Sequence, residues 1–432
     1  MSRVIAYDIM RLFIGSSFLT PRGIDRVDLA LARQIFSNDA TLHVGVLPTP
    51  IGVCACSGAQ VRRLLAYLQK LWAEDDDSDD ALRWLIDRIT RPEAAAQMPE
   101  PSLRSIVPRL AGKTRRMLKM LAATRFFPAG AAARVVPANA VYLNVGQLGL
   151  AMPGFFDWLE KRPDVTCAMM LHDTIPIDFP HLVGPKAPFY HERMIRTAAR
   201  RGDRLIFNSD YTRDSVTAFI RKWDPNRGRD NIPSLVRALP LPPAFINIRH
   251  SIPELAKKRY FLAVSTVEPR KNHDLLFRVW RRLIATMGAD APHLVIVGSP
   301  GYDAANILAP LAGELGAARR VHHVVGLSSP ALAALTLGAA GMLCPTLAEG
   351  FGLPLLEAKA MGVPSVVSDI PAHRELADAR TVLLPPDDEE GWARTIIALP
   401  GVAVRQRPII PFSMTEVAYC ADLVDFACRT RN

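Results

Sequence analysis

Short apolar runs of strand character, each followed by a loop and a helix-like stretch, recur along this chain in two series. No other feature narrows its fold as much. The first series is VIAYDI (4–9), LHVGVL (42–47), AVYLNV (140–145), VTCAMML (165–171), RLIF (204–207) and SLVRAL (234–239), with helical patterns at Ile24–Phe36, near Gly154–Lys161 and near Ala187–Arg201. The second is YFLAVS (260–265), HLVIVG (293–298), VHHVVG (321–326), GMLCP (341–345), PSVVS (364–368) and TVLLP (381–385). Such alternation implies right-handed crossovers and parallel sheets. Proline clusters in LPLPPAF (239–245) and the periodicity restarts at Tyr260. The pattern therefore predicts an α/β chain of two doubly wound, Rossmann-like domains, 1–245 and 246–410, facing across a cleft, with a C-terminal helix in 411–432 packing back on the first.

A length of 432 residues suits two cores, and 49% hydrophobic content is ample for burying them. No apolar run reaches the roughly 18 residues of a membrane span, and the N-terminus lacks a signal peptide's apolar core. The expectation is a cytoplasmic protein. Its six cysteines form no C-x-x-C pair and sit mostly in apolar runs, so neither a disulfide framework nor a zinc site is expected.

The net charge of +10 is unevenly placed. Residues 60–135 read as an insertion of largely helical character. It contains the acidic run DDDSDD (75–80), whose D-x-D spacing reads as a solvated loop rather than a metal site, and ends in a basic stretch. Pro101 to Val136 holds eight cations (Arg104, Arg109, Lys113, Arg115, Arg116, Lys119, Arg125, Arg134) and no acid. Among them Leu103, Ile106, Val107, Leu110, Met117, Leu118 and Leu121 recur at helical intervals, with Pro108 and Gly112 expected to interrupt a continuous helix. A basic surface with an apolar face suits an anionic membrane, and a helical insert, solvated or docked on the protein, is the alternative.

In open α/β sheets the ligand lies beyond the carboxyl ends of the strands, so the loops there carry the chemistry. TVEPRKNH (266–273) sets Arg270 and Lys271 before a helix, an arrangement suited to phosphate. In TLAEGFGLPLLEAKAMGVPSVVSD (346–369), Gly350 and Gly352 allow the amides of Gly350, Phe351, Gly352 and Leu353 to approach a ligand, and Pro354 pre-sets the following helix. Glu357, one turn into that helix, can accept from a ribose diol. Glu349, on the loop, can reach the group beyond the phosphates. SPGYD (299–303) is a weaker glycine turn, and LSSPAL (327–332) reads as a helix start with Ser328 or Ser329 as cap.

These residues carry a resemblance. Glu349 and Glu357 resemble the Glu-x7-Glu motif of retaining glycosyltransferases of family 4, and EGFGLPLLEAKAMGVPSVVSDIPAHREL is similar to that family at nearly every position. STVEPRKNHDLL resembles its phosphate loop. In the first domain TPRGIDRV (20–27) resembles its glycine turn, LHDTIPIDFP (171–180) its histidine loop and NSDYTRDSV (208–216) a helix-opening segment. Two departures stand out: Ser265-Thr266 where many relatives carry an arginine after a glycine, and the insertion.

The resemblance implies the GT-B fold, a nucleoside-diphosphate sugar held mainly by the second domain, and an acceptor held by the first. Retention of anomeric configuration is implied too. Gly23 would approach the donor phosphates, His172 with Asp173 would face the transferred sugar, and Glu349 would hold its hydroxyls. Arg270, Lys271 and the 350–353 amides would stabilise the departing diphosphate with no cofactor and no divalent ion. Similarity to bacterial surface-polysaccharide mannosyltransferases inclines the donor to GDP-mannose ahead of UDP-glucose, with a glycan or lipid-linked acceptor at the inner face of the membrane. His373 and Glu375 either line this site or cap a helix. A catalytically silent sugar-nucleotide binder is the alternative. A nucleic-acid binder fits the basic pI of about 9.5 but leaves the phosphate loops unexplained. A dehydrogenase is disfavoured, because G-x-G-x-x-G follows neither domain's first strand.

Overall fold

The structure, a computed structural model, describes residues 3–16, 23–37, 42–49, 52–73, 80–91, 106–125, 129–226, 232–248, 250–399 and 415–429, and in 106–113 the backbone alone. Thr20, Pro21 and Arg22 of the glycine turn, residues 75–79 of the acidic run, and Arg104 lie outside the described residues.

Fourteen strands, β1 (Ile5–Asp8), β2 (Val44–Thr49), β3 (Gly52–Ser57), β4 (Gly130–Ala131), β5 (Val141–Asn144), β6 (Thr166–Leu171), β7 (Arg204–Phe207), β8 (Ser234–Val236), β9 (Tyr260–Val264), β10 (His293–Val297), β11 (Val321–Val324), β12 (Gly341–Cys344), β13 (Ser365–Ser368) and β14 (Thr381–Leu384), form two sheets among the described residues. The first runs β4-β3-β2-β1-β5-β6-β7-β8 and the second β11-β10-β9-β12-β13-β14. The second is parallel throughout, and its chain order reverses between β9 and β12. The first reverses between β1 and β5. Its β2–β3 and β3–β4 pairs are antiparallel, an edge that the alternating pattern does not predict. β3 is built on small side chains (GVCACS), and β4 has two residues, so neither presents a strong apolar alternation.

The insertion therefore begins with β3, ahead of residue 60, and continues through helices Gly58–Ala73, Asp80–Thr90 and Ile106–Thr124. Contrary to expectation, Pro108 and Gly112 leave the last helix continuous. Pro108 falls in the first turn, where a missing N–H costs nothing. Arg63 Nε donates to the Thr124 carbonyl at 2.7 Å, closing that helix's negative end onto the Gly58–Ala73 helix. Of the apolar residues proposed to face a membrane, Met117 and Leu121 pack against the core, while Leu118 is exposed beside Arg115 and Lys119. No helix among the described residues is long and apolar enough to cross a membrane.

The Asp80–Thr90 helix leaves its own domain. It packs on Pro253–Leu255 and on β11, burying Leu85 and Ile89 in an apolar cluster that runs from Tyr7 and Leu143 to Leu255, Leu262 and Val324. The two domains thus share one continuous core, and each has a second core on its far face. The Glu416–Cys428 helix, capped by Thr415, lies on the first domain against the Gly23–Ile35 helix and β5, with Tyr419, Cys420 and Leu423 buried.

Candidate functional site

Both chain-order reversals open on the same seam. β9 leads into a single tight turn, Pro269–Lys271, before the His273–Met287 helix, and Asn272 between them is left-handed (φ 54°). The Asn272 amide donates to the carbonyls of Pro345 (3.1 Å) and Pro386 (2.9 Å). Thr346 Oγ1 and Leu347 N both donate to the Arg270 carbonyl, at 2.9 and 2.8 Å. These ties lay the β12 loop against the β9 loop and bring together three residues singled out by sequence. Lys271 Nζ pairs with Glu349 Oε2, and Arg270 Nη1 lies 3.3 Å from the same oxygen. Arg270 Nε also pairs with Glu268 at 2.7 Å, a partner that sequence reading missed.

Burial pushes the Glu349 carboxyl up, but Lys271 and Arg270 outweigh it and hold it below the usual value. Burial and adjacent Arg270 pull Lys271 down despite Glu349. The cluster thus holds two crowded cations answered by carboxylates.

Gly352 has φ 104° and caps the Leu353–Ala360 helix, with Pro354 in its first turn as predicted. Gly350 is glycine for a different reason than ligand approach. A Cβ there would lie 2.3 Å from the His172 carbonyl oxygen of the other domain. The Gly350 carbonyl accepts from Ser209 Oγ (2.6 Å) and Thr212 Oγ1 (3.2 Å). Gly23 likewise abuts the second domain, a Cβ there falling 2.6 Å from Leu353 Cδ1. Phe351 is buried behind this contact.

Glu357 is buried, and its nearest described cation is Arg26, with Nη1 3.6 Å from Oε1. Burial outweighs that guanidinium and raises the carboxyl to about 7. His172 donates through Nε2 to the Val145 carbonyl at 2.8 Å, because a carbonyl can only accept. That fixes a bare lone pair on Nδ1, which is buried and has no partner among the described residues. Burial lowers this imidazole to about 4, so it is neutral near pH 7. Asp173 stays ionised: His191 Nε2, 3.3 Å away, and Arg270 across the seam outweigh its burial.

The two residues left open by sequence separate. His373 is buried, donates through Nδ1 to the Ser368 carbonyl (2.8 Å), and lines a small cavity with Lys271, His273, Thr346 and Glu349. Glu375 is a cap, but of the other domain's helix: its oxygens accept from the N–H groups of Asp210 (3.0 Å) and Tyr211 (2.6 Å), at the start of Asp210–Trp223. The N-S-D pattern at 208–210 announces a helix start but not a partner 165 residues away. No group of three or more His, Cys, Asp or Glu among the described residues is arranged to hold a metal ion.

This architecture is GT-B, and residues 258–400 match the family model described as Glycosyl transferases group 1. That stretch of the chain is a Glycosyl transferases group 1 domain. Among curated proteins, the O-antigen chain mannosyltransferase RfbU of Salmonella typhimurium (strain LT2) is 32% identical over 155 residues, 35% of this chain and 41% of that protein. The serotype-specific mannosyltransferase WbdA of Escherichia coli is 27% identical over 219 residues, 48% and 26% of the two chains. The chain thus spans less than half the length of either relative. Two solved structures share the whole fold. Anabaena Alr3699/HepE in complex with UDP and glucose has a TM-score of 0.55, with 13% identity and coverage of 98% and 97%. A UDP-forming α,α-trehalose-phosphate synthase from Burkholderia xenovorans has a TM-score of 0.51, with 13% identity and coverage of 99% and 95%.

Proposed function

We propose that the protein is a retaining glycosyltransferase that moves a hexose from a nucleoside-diphosphate sugar, GDP-mannose ahead of UDP-glucose, to a glycan or lipid-linked acceptor. One observation carries the reading: the Lys271–Glu349–Arg270 cluster lies on the seam, half-buried with its side chains 11–20% exposed, on the wall facing His172. A diphosphate entering there competes with Glu349 for the two cations. Glu349, released, then turns its oxygens to the sugar hydroxyls. As the glycosidic bond breaks, charge grows on the departing phosphate, where Lys271, Arg270 and the 350–353 amides stabilise it by a few kcal/mol each. In this reading His172 accepts from a sugar hydroxyl through Nδ1, Glu357 receives the ribose diol, and no divalent ion is needed. The mannosyltransferase relatives support the choice of sugar, and the UDP bound in the Anabaena fold relative keeps UDP in the test.

Thermal shift with GDP, UDP, GDP-mannose and UDP-glucose, with and without EDTA, tests this directly. A ligand at 100 times its Kd stabilises by about 2.7 kcal/mol. Shifts with one base and its sugar, unaffected by EDTA, are expected. No shift with any of the four overturns the proposal, and binding without turnover favours the silent scaffold. We also infer that contact with an anionic membrane, if made through 101–136, uses the exposed side bearing Arg115, Leu118 and Lys119. Flotation with phosphatidylglycerol vesicles, lost in a triple alanine variant, is the expected result.

A further inference from the structure

On the first-domain wall, β5 ends in a turn held more tightly than a loop requires. Gln147 has φ 66°, left-handed backbone that a glutamine rarely adopts. Its N–H donates to Asn144 Oδ1 at 2.9 Å, and the preceding carbonyl, that of Gly146, accepts from Arg11 Nε at 2.7 Å and Leu148 N at 2.8 Å. Such strain persists only where the surroundings impose it. The result is a buried side chain whose Nε2 has no hydrogen-bond partner among the described residues.

Across Gly146 lies the counterpart. Asp28 is fully buried on the Gly23–Ile35 helix, with Oδ1 taken by the Tyr7 hydroxyl and Oδ2 without a partner. A Cβ on Gly146 would sit 3.4 Å from that oxygen. Asp8, buried close by, is fully answered by Tyr142 (2.6 Å), Asn144 (3.0 Å) and the Met10 N–H (2.9 Å), which marks it as structural. Asp28 Oδ2, a bare acceptor, thus lies beside Gly146, and Gln147, whose Nε2 is a bare donor, is that glycine's neighbour in the chain. The next loop carries the bare Nδ1 of His172, whose ring is fixed by the neighbouring Val145 carbonyl.

We propose that Gln147 and Asp28 form a subsite that receives a hydroxyl of an uncharged sugar acceptor. A hydroxyl donates and accepts at once, which this pair requires. A phosphate does not fit: Arg11, the local cation, is held by Asp25 at 3.0 Å and by the Gly146 carbonyl, and Asp28 is itself an acid. Leaving either buried group unmet is destabilising, and a bound hydroxyl restores both hydrogen bonds. The subsite rests on the function proposed above and adds the chemical class and position of the acceptor.

The test is ligand-observed saturation-transfer NMR and calorimetry with octyl α-D-mannoside, α-D-glucoside and α-D-galactoside, on full-length protein saturated with whichever nucleoside diphosphate binds. The unsubstituted protein should bind at least one hexoside. Gln147→Asn, which puts a shorter amide on a residue that takes positive φ more readily, and Asp28→Asn, which keeps an oxygen for Tyr7, should each weaken it tenfold or more while nucleotide affinity stays within twofold. Hexoside binding unchanged in both variants, a parallel fall in nucleotide affinity, or no hexoside bound by nucleotide-saturated protein would each overturn the subsite. If no nucleoside diphosphate binds at all, the functional reading falls first and takes the subsite with it.

Discussion

The two walls of the seam are built from different chemistry. The second-domain wall is ionic: Glu268, Arg270, Lys271 and Glu349 sit on loops after β9 and β12 and answer one another at short range. The first-domain wall meets it largely with neutral groups, namely the His172 carbonyl and imidazole, the hydroxyls of Ser209 and Thr212, and the Gln147 amide, with Asp173 facing Arg270 and Arg26 facing Glu357 as its charged members. In the proposed reaction the ionic wall meets the charge that grows on the departing phosphate, and the other, which touches it through the Gly350 and His172 backbone, recognises hydroxyls.

Substitution on the ionic wall should have the largest effect. Lys271→Ala should lower donor turnover about 100- to 1,000-fold, the range for removing one donor to a developing anion. Glu349→Ala should abolish transfer while circular dichroism stays unchanged. Full activity in either variant would remove the ionic wall from the mechanism.

Gly350→Ala tests the meeting of the walls. Its methyl cannot share space with the His172 carbonyl, so the seam must widen, and turnover should fall on the order of 100-fold, as for a misplaced reacting group. Nucleotide affinity, measured by calorimetry, should change far less. Equal loss of both would show that the first domain takes part in holding the nucleotide.

A smaller effect is expected from Glu375→Ala, which uncaps the Asp210–Trp223 helix across the seam at a cost of about 1 kcal/mol. Small-angle scattering should then report a wider average opening.

The smallest effect concerns pH. The Glu357 carboxyl is raised to about 7 in the folded protein from an ordinary 4.5, so its contribution is fully present below about 4.5 and is lost as pH rises through 7. His172, lowered to about 4, acts oppositely, its contribution being lost as pH falls from 6.5 to 4. Relative to the unsubstituted protein, Glu357→Gln should therefore gain in melting temperature as pH is raised from 4.5 to 7. A flat difference would mean that Glu357 is not buried in solution.

What sequence revealed follows the same division. The central strands β9, β10, β12 and β13 of the second sheet are buried in a parallel array, so they read as near-continuous apolar runs, and charges on the loops after them stand out. The first wall acts through carbonyl oxygens and hydroxyls whose meaning depends on a partner far along the chain. Ser209 and Gly350 are 141 positions apart, and nothing local in N-S-D or E-G-F-G encodes that meeting. The edge strands β3 and β4 went unseen because small residues carry little pattern. Gln147 was invisible for another reason: its strained backbone is imposed by Arg11 and Asn144, not by its own preference.

The Asp80–Thr90 helix, seated on the far domain, also sets how this molecule can move. Drawing the halves apart there would expose Leu85 and Ile89 to water at about 1.5–3 kcal/mol for each side chain, so the helix works as a clasp between the two domains.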